Sequence, residues 1–191
     1  MPVYRFFPWN KSSPLTEYGG PFFAPRAKQG AGRHDIPDRD GVLYCSTSAM
    51  GAIAEAVQPF RGLRFIDKKF GLMNSDFRKA DGLPLALATL EISEKAQLVD
   101  LNEPVTLSKY HLKPSHISST DRKETQHVAR LLYEEGLDGF SWRSSLEPSW
   151  VHMTLFQSRI SPYLSIKGEV RLLDVQMPEI KELAQKWDLN I

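Results

Sequence analysis

The sequence predicts one mixed α+β domain, and three observations carry that reading. Its 191 residues suit a single domain with a sizeable core. Short β-rich runs and helical apolar stripes both occur along it. No internal repeat, low-complexity tract or long linker divides the chain.

The elements follow in order. Residues 1–41 read as loop-rich, because Pro14, Gly19, Gly20, Pro21, Pro25, Gly30, Gly32 and Pro37 interrupt any long periodicity. The same stretch holds Tyr4, Phe6, Phe7, Trp9, Phe22 and Phe23, an aromatic load that suits a packed, ligand-shaping loop better than a disordered tail. Residues 42–45 form a short buried strand. Ser46, Thr47 or Ser48 then caps a helix with the stripe Met50, Ile53, Ala54 and Val57, closed by Pro59. Residues 85–92 and 97–101 make two strands joined by polar turn residues. A helix over 121–135 carries Val128, Leu131 and Leu132 on one face and ends at Gly136. Strands are expected at 137–142 and 150–156, where β-formers concentrate. Pro178 opens a last helix, reaching about residue 188, with Ile180, Leu183, Ala184 and Trp187 at helical spacing.

Composition excludes several function classes. Twenty-four basic residues against 23 acidic ones leave a net charge of +1, which forecasts no direct nucleic-acid footprint and no membrane-surface patch. The apolar run at 83–90 is far too short to span a bilayer. The opening residues lack the basic, apolar and small-residue order of a signal peptide, so a cytoplasmic protein is expected. Cys45 is the single cysteine, which rules out an internal disulfide and argues against a cysteine metal site. His111, His116 and His127 lack compact ligand spacing, so no metal is expected.

The candidate site residues come from residues 30–55 and from the later serines. Arg33 follows Gly30 and Gly32, whose flexible backbone lets a phosphate approach, and its planar fork matches phosphate oxygens. A surface loop arginine is the bland alternative. Tyr44 closes a strand, where a core tyrosine with a surface hydroxyl is the commoner outcome. Glu55 lies about 140° from the centre of its helix's apolar stripe, taking roughly 100° per residue, so position alone favours a solvated glutamate. Arg5 offers a second phosphate contact, against the commoner surface arginine. Ser144 and Ser145 follow a strand, lie in no G-x-S-x-G elbow and have no histidine placed for a hydrolase triad. A ligand hydrogen bond suits them; a nucleophile does not.

Taken together, Arg5, Gly32-Arg33, Leu43-Tyr44, Ala52-Ile53-Ala54-Glu55, Trp142-Arg143-Ser144 and the run from His152 to Leu155-Phe156 stand in the order of a known family. The chain resembles the RES domain, found in NAD-degrading toxins of bacterial toxin–antitoxin pairs. Departures from that pattern are Ala31 for a glycine, His34-Asp35 for an aromatic-Asn pair, Arg143 for proline and His152 for asparagine.

The resemblance implies an ADP-ribosyltransferase-like fold over the whole chain, with a core at about 4–175. It further implies two small β-sheets flanked by helices around an NAD cleft. The implied enzyme is an NADase that cleaves the nicotinamide–ribose bond as a glycohydrolase or phosphorylase, with NAD as substrate and no cofactor. Glu55 would stabilise the ribosyl cation, Arg33 with Arg5 would hold the pyrophosphate, and Tyr44 would stack on the ligand. Ser144 and His152 would complete the ligand-binding set. An Xre-like antitoxin is the implied partner, and a homo-oligomer is left open. The alternatives are ADP-ribosyl transfer to a macromolecule, or an inactive NAD-binding module if His34 and His152 abolish turnover.

Overall fold

The computed structural model describes residues 1–57 and 82–187. The chain opens on a strand, β1 (Pro2–Pro8), within the stretch read as loop. Its alternation buries Val3, Arg5 and Phe7 on one face and half-buries Tyr4 and Phe6 on the other, as a pleated strand requires. The remaining strands are β2 (Val42–Ser46), β3 (Leu85–Ile92), β4 (Leu98–Asp100), β5 (Gly139–Arg143), β6 (Val151–Phe156), β7 (Leu164–Ile166) and β8 (Arg171–Leu172). They form one mixed sheet in the order β4-β5-β6-β2-β1-β3-β7, with β8 beside β7 on the β3 edge. Among the described strands only the neighbours β4 and β5 run parallel.

The expected two small sheets are therefore two halves of one sheet. β1 pairs with β3 over seven positions and β2 with β6 over five. Between β1 and β2 a single registered pair, Tyr4 with Ser46, joins the halves. The sheet is pinched there.

Among the described residues six α-helices accompany it: α1 (Ala49–Val57), α2 (Pro104–Lys109), α3 (Pro114–Ser118), α4 (Arg122–Glu134), α5 (Gln157–Ile160) and α6 (Pro178–Trp187). Ser48 caps α1, its Oγ accepting from Gly51 N at 3.0 Å. Asp121 caps α4 through Lys123 N at 2.8 Å, and Gly136 (φ +85°) ends the turn that follows. The expected closure of α1 by Pro59 lies outside the described residues.

Three apolar clusters hold these layers together. Ile53 and Val57 of α1 and Ile180 and Leu183 of α6 pack on Leu85 and Leu87 of β3. On the opposite face, Val3, Leu43, Ala88 and Leu155 meet Phe22 and Ala24 of the N-terminal loop. Over the other half-sheet, Val128 and Leu132 of α4 cover Phe140 and Phe156. Burying such side chains stabilises each cluster by roughly 1.5–3 kcal/mol per residue. Thus α1 roofs one half-sheet and α4 the other, and the gap between them opens over the pinch.

A carboxylate and arginine cleft at the pinch

That gap is a cavity of about 470 Å³. Its floor comes from the sheet: Phe6 of β1, Tyr44 of β2, Trp142 of β5 and His152 of β6. One wall is Ala52 and Glu55 of α1, and Arg33 and Arg122 add two guanidinium groups, with Cys45, Ser145 and Leu146 also at the lining.

Glu55 points off its helix's apolar stripe into this space. His152 Nε2 lies 3.1 Å from Glu55 Oε1. The ring nitrogen is poorly aligned for a hydrogen bond to it, so the two groups are in close polar contact without a well-formed bond. Ser144 Oγ donates to the same oxygen at 3.3 Å and accepts from Leu146 N at 3.1 Å. Both contacts fall on Oε1, and Oε2 has no hydrogen-bond partner among the described residues. Burial pushes the Glu55 carboxyl up, but His152, Ser144 and Arg33 outweigh it and hold it below the usual glutamate range. The result is an ionised carboxylate fixed by one oxygen, with 45% of the side chain still exposed.

The glycine loop is shaped by Asp35. Its Oδ2 accepts from Gly30 N and Gly32 N, each at 2.7 Å, and its Oδ1 accepts from the Tyr44 hydroxyl at 2.7 Å. Gly30 has φ +144°, and a Cβ on Gly32 would stand 2.5 Å from Asp35 Oδ1, so neither position admits a side chain without strain or displacement. α4 grips the loop from the other side: Gln126 Nε2 donates to Gly30 O and Gly32 O at 2.9 Å, and Thr125 Oγ1 donates to Arg33 O.

Arg33 is held rather than free. Its Nη1 donates to Ser119 O at 2.8 Å and Ile117 O at 3.3 Å, and its guanidinium sits 5.4 Å from the centre of the Trp142 ring. Tyr44 also differs from the expected free hydroxyl. Its oxygen donates to Asp35 and accepts from His34 N at 3.0 Å, which leaves the ring to face the cavity. Burial and Asp35 push its ionisation well above the ordinary tyrosine value.

Several residues fall elsewhere. Arg5, expected on a phosphate, lies on the opposite face of β1 and is buried. It donates to Phe23 O at 2.6 Å and to Pro21 O, anchoring the N-terminal loop. Burial lowers its pKa to about 10. His34, one of the departures from the family pattern, is fully buried behind the floor against Trp142 and Phe140. Its Nδ1 meets Thr154 Oγ1 at 2.8 Å, and that oxygen also accepts from Trp142 Nε1 at 3.0 Å. Burial holds the imidazole neutral, its pKa well below the ordinary value. Cys45 borders the cavity, but burial pushes its thiol up to about 12, so it offers no thiolate. Among the described residues no cluster has the makings of a metal site, and no helix is long and apolar enough to cross a membrane.

Two site residues escaped sequence reasoning. In the sequence Phe6 is only one of several aromatics of the N-terminal stretch, and no local pattern marks Arg122, the first residue of α4.

Fold and cleft define a class: an α+β protein in which one isolated carboxylate faces two guanidinium groups across an aromatic floor. The RES domain model matches residues 4–175, and the chain belongs to the RES domain family. The crystal structure of the M. tuberculosis MbcT-MbcA toxin-antitoxin complex contains a similar chain. The likeness covers 97% of this chain and 87% of that one, with a TM-score of 0.61 and 16% identity, and it is a likeness of fold. No curated protein matches the chain.

Proposed function

We propose that this protein cleaves the nicotinamide–ribose bond of NAD and serves as the toxin of a toxin–antitoxin pair. The carrying observation is Glu55: an ionised carboxylate lining the cleft and held through Oε1 by His152 and Ser144, with no partner for Oε2 among the described residues. When the C–N bond breaks, its electron pair goes to the nicotinamide nitrogen and the ribose becomes an oxocarbenium ion. A preorganised carboxylate beneath that cation stabilises the transition state, and one such group is typically worth roughly 10²–10³ in rate. Water or phosphate then bonds the anomeric carbon, and water releases a proton to solvent. Tyr44 and Phe6 supply rings for stacking, and Arg33 supplies charge for the pyrophosphate.

His34 and His152 do not disable this arrangement. The first is part of the core, and the second braces Glu55. Ser144 acts as a brace too, not as a nucleophile.

A toxin of this kind acts in the cytoplasm, where NAD resides, and needs silencing there. The toxin-antitoxin complex of the structural neighbour supports an antitoxin partner, of the Xre-like kind that the family resemblance implies, seated over the cleft.

Purified protein with NAD, products resolved by chromatography, tests the reading. Free ADP-ribose indicates water as acceptor, its phosphate ester indicates phosphate, and label in a macromolecule indicates transfer instead. Glu55→Gln keeps size and helix propensity but deletes the charge, so turnover should fall about 100-fold or more while the melting temperature moves little. Near-wild-type turnover by the folded variant would refute the mechanism.

A further inference from the structure

We propose that Arg122 is a second phosphate-binding residue of the cleft, closing on the dinucleotide pyrophosphate beside Arg33. The inference rests on the NAD-cleaving reading and deepens it.

Arg122 and Arg33 line the same cavity from different segments, the start of α4 and the glycine loop. Neither guanidinium is in ion-pair contact with a carboxylate among the described residues, where arginine ion pairs involve Arg39, Arg130 and Arg171. Asp121, next to Arg122, caps the backbone of α4 instead. Two cations thus share one recess, near enough that Arg122 lowers the proton affinity of Arg33 after burial has done so. Such a pair is stabilised by an anion between them.

Arg33 cannot do this work alone. Its Nη1 already serves two carbonyls, and its plane is fixed against Trp142, so its fork is only partly available. Arg5 is excluded by its place on the far face of the sheet. The Arg122 guanidinium has no hydrogen bond among the described residues, and its exposed side chain can swing toward a ligand. A pyrophosphate carries two negative charges. Two guanidinium groups match them, leaving Glu55 to face the ribosyl cation.

The test compares wild type, Arg122→Gln and Arg122→Lys by KM for NAD, kcat, and binding of ADP-ribose at low and high salt. Adenosine, which lacks phosphate, is the control ligand. Losing one charge-assisted contact should raise KM and weaken ADP-ribose binding about tenfold or more. kcat should change much less, adenosine binding should not change, and the salt dependence of ADP-ribose binding should become shallower. Lysine should recover only part of the loss, since it lacks the planar fork. Thermal melts verify folding, and an exposed helix-start residue should leave them within a degree or two. Wild-type KM, affinity and salt slope in Arg122→Gln would overturn the role of Arg122 while NAD cleavage stands. A wild-type protein that neither consumes NAD nor binds ADP-ribose would overturn both.

Discussion

Asp35 offers the sharpest structural test, because one buried carboxylate organises the loop that carries Arg33. Asp35→Ala deletes three hydrogen bonds at once, to Gly30 N, Gly32 N and the Tyr44 hydroxyl. Bonds to a charged acceptor contribute about 1.5–3 kcal/mol when buried, and neutral ones about 1. The loop amides are only part-buried, so water can recover some of the loss. Taking about 1–1.5 kcal/mol for each gives roughly 3–4.5 kcal/mol for the substitution. For a chain of this size that lowers Tm by roughly 10 °C, at about 2–4 °C per kcal/mol. Turnover should fall further than stability alone explains, since Arg33 and the Tyr44 ring lose their common support. Asp35→Asn separates shape from charge. Its amide can accept from the two backbone N–H groups with its oxygen and donate to the hydroxyl, so it should recover about half of the lost stability. The assay is thermal unfolding beside NAD consumption below the melting range. An Asp35→Ala protein that melts within 2 °C of wild type and keeps its turnover would refute the argument that this carboxylate builds the loop.

Two further perturbations read other parts of the molecule. His34 stays neutral in the fold, its pKa depressed by burial and by Arg33 and Arg122. Above about pH 6.5 it is neutral in both states and stability is unaffected; below that, the unfolded chain gains a proton that the native one refuses. Native stability should therefore fall by up to about 1.4 kcal/mol per pH unit from this group as pH drops toward the folded pKa. Urea unfolding at pH 7.5, 6 and 5 should show a shallower acid loss in His34→Gln, and parallel curves would contradict it. Arg5→Met should lower Tm by several degrees, because two loop carbonyls lose their donors, while KM for NAD stays unchanged; a raised KM with an unchanged Tm would return Arg5 to the ligand site.

Periodicity disclosed the elements that bury an apolar stripe. α4, α6, β5 and β6 lie close to their expected positions because each is amphipathic or β-rich with a clear stop, such as Gly136 or Pro178. β1 escaped notice because proline at both ends and a buried arginine in its middle hide a regular alternation. Yet it is the strand that pairs along its whole length with β3. The short helices α2 and α3 begin at Pro104 and Pro114, a signal that was present but too brief to weigh.

Glu55, Arg33 and Tyr44 line one cavity, and the family pattern said nothing of who braces them. Asp35 stood in the sequence as a departure from the pattern, and its three bonds became visible only once the loop was folded around it. Arg122 comes into reach of Arg33 because α4 docks on the glycine loop through Thr125 and Gln126, a contact across some ninety positions that no local pattern encodes.

The single rung between β1 and β2 gives the cleft a mechanical character. Glu55 rides on the helix over one half-sheet, and Arg122 rides on the helix over the other. A molecule that touches both therefore acts as a rivet across the weakest seam of the sheet, supplying from outside the cross-bracing that the backbone ladder omits. By mass action, whatever fills the cleft also tightens the scaffold beneath it.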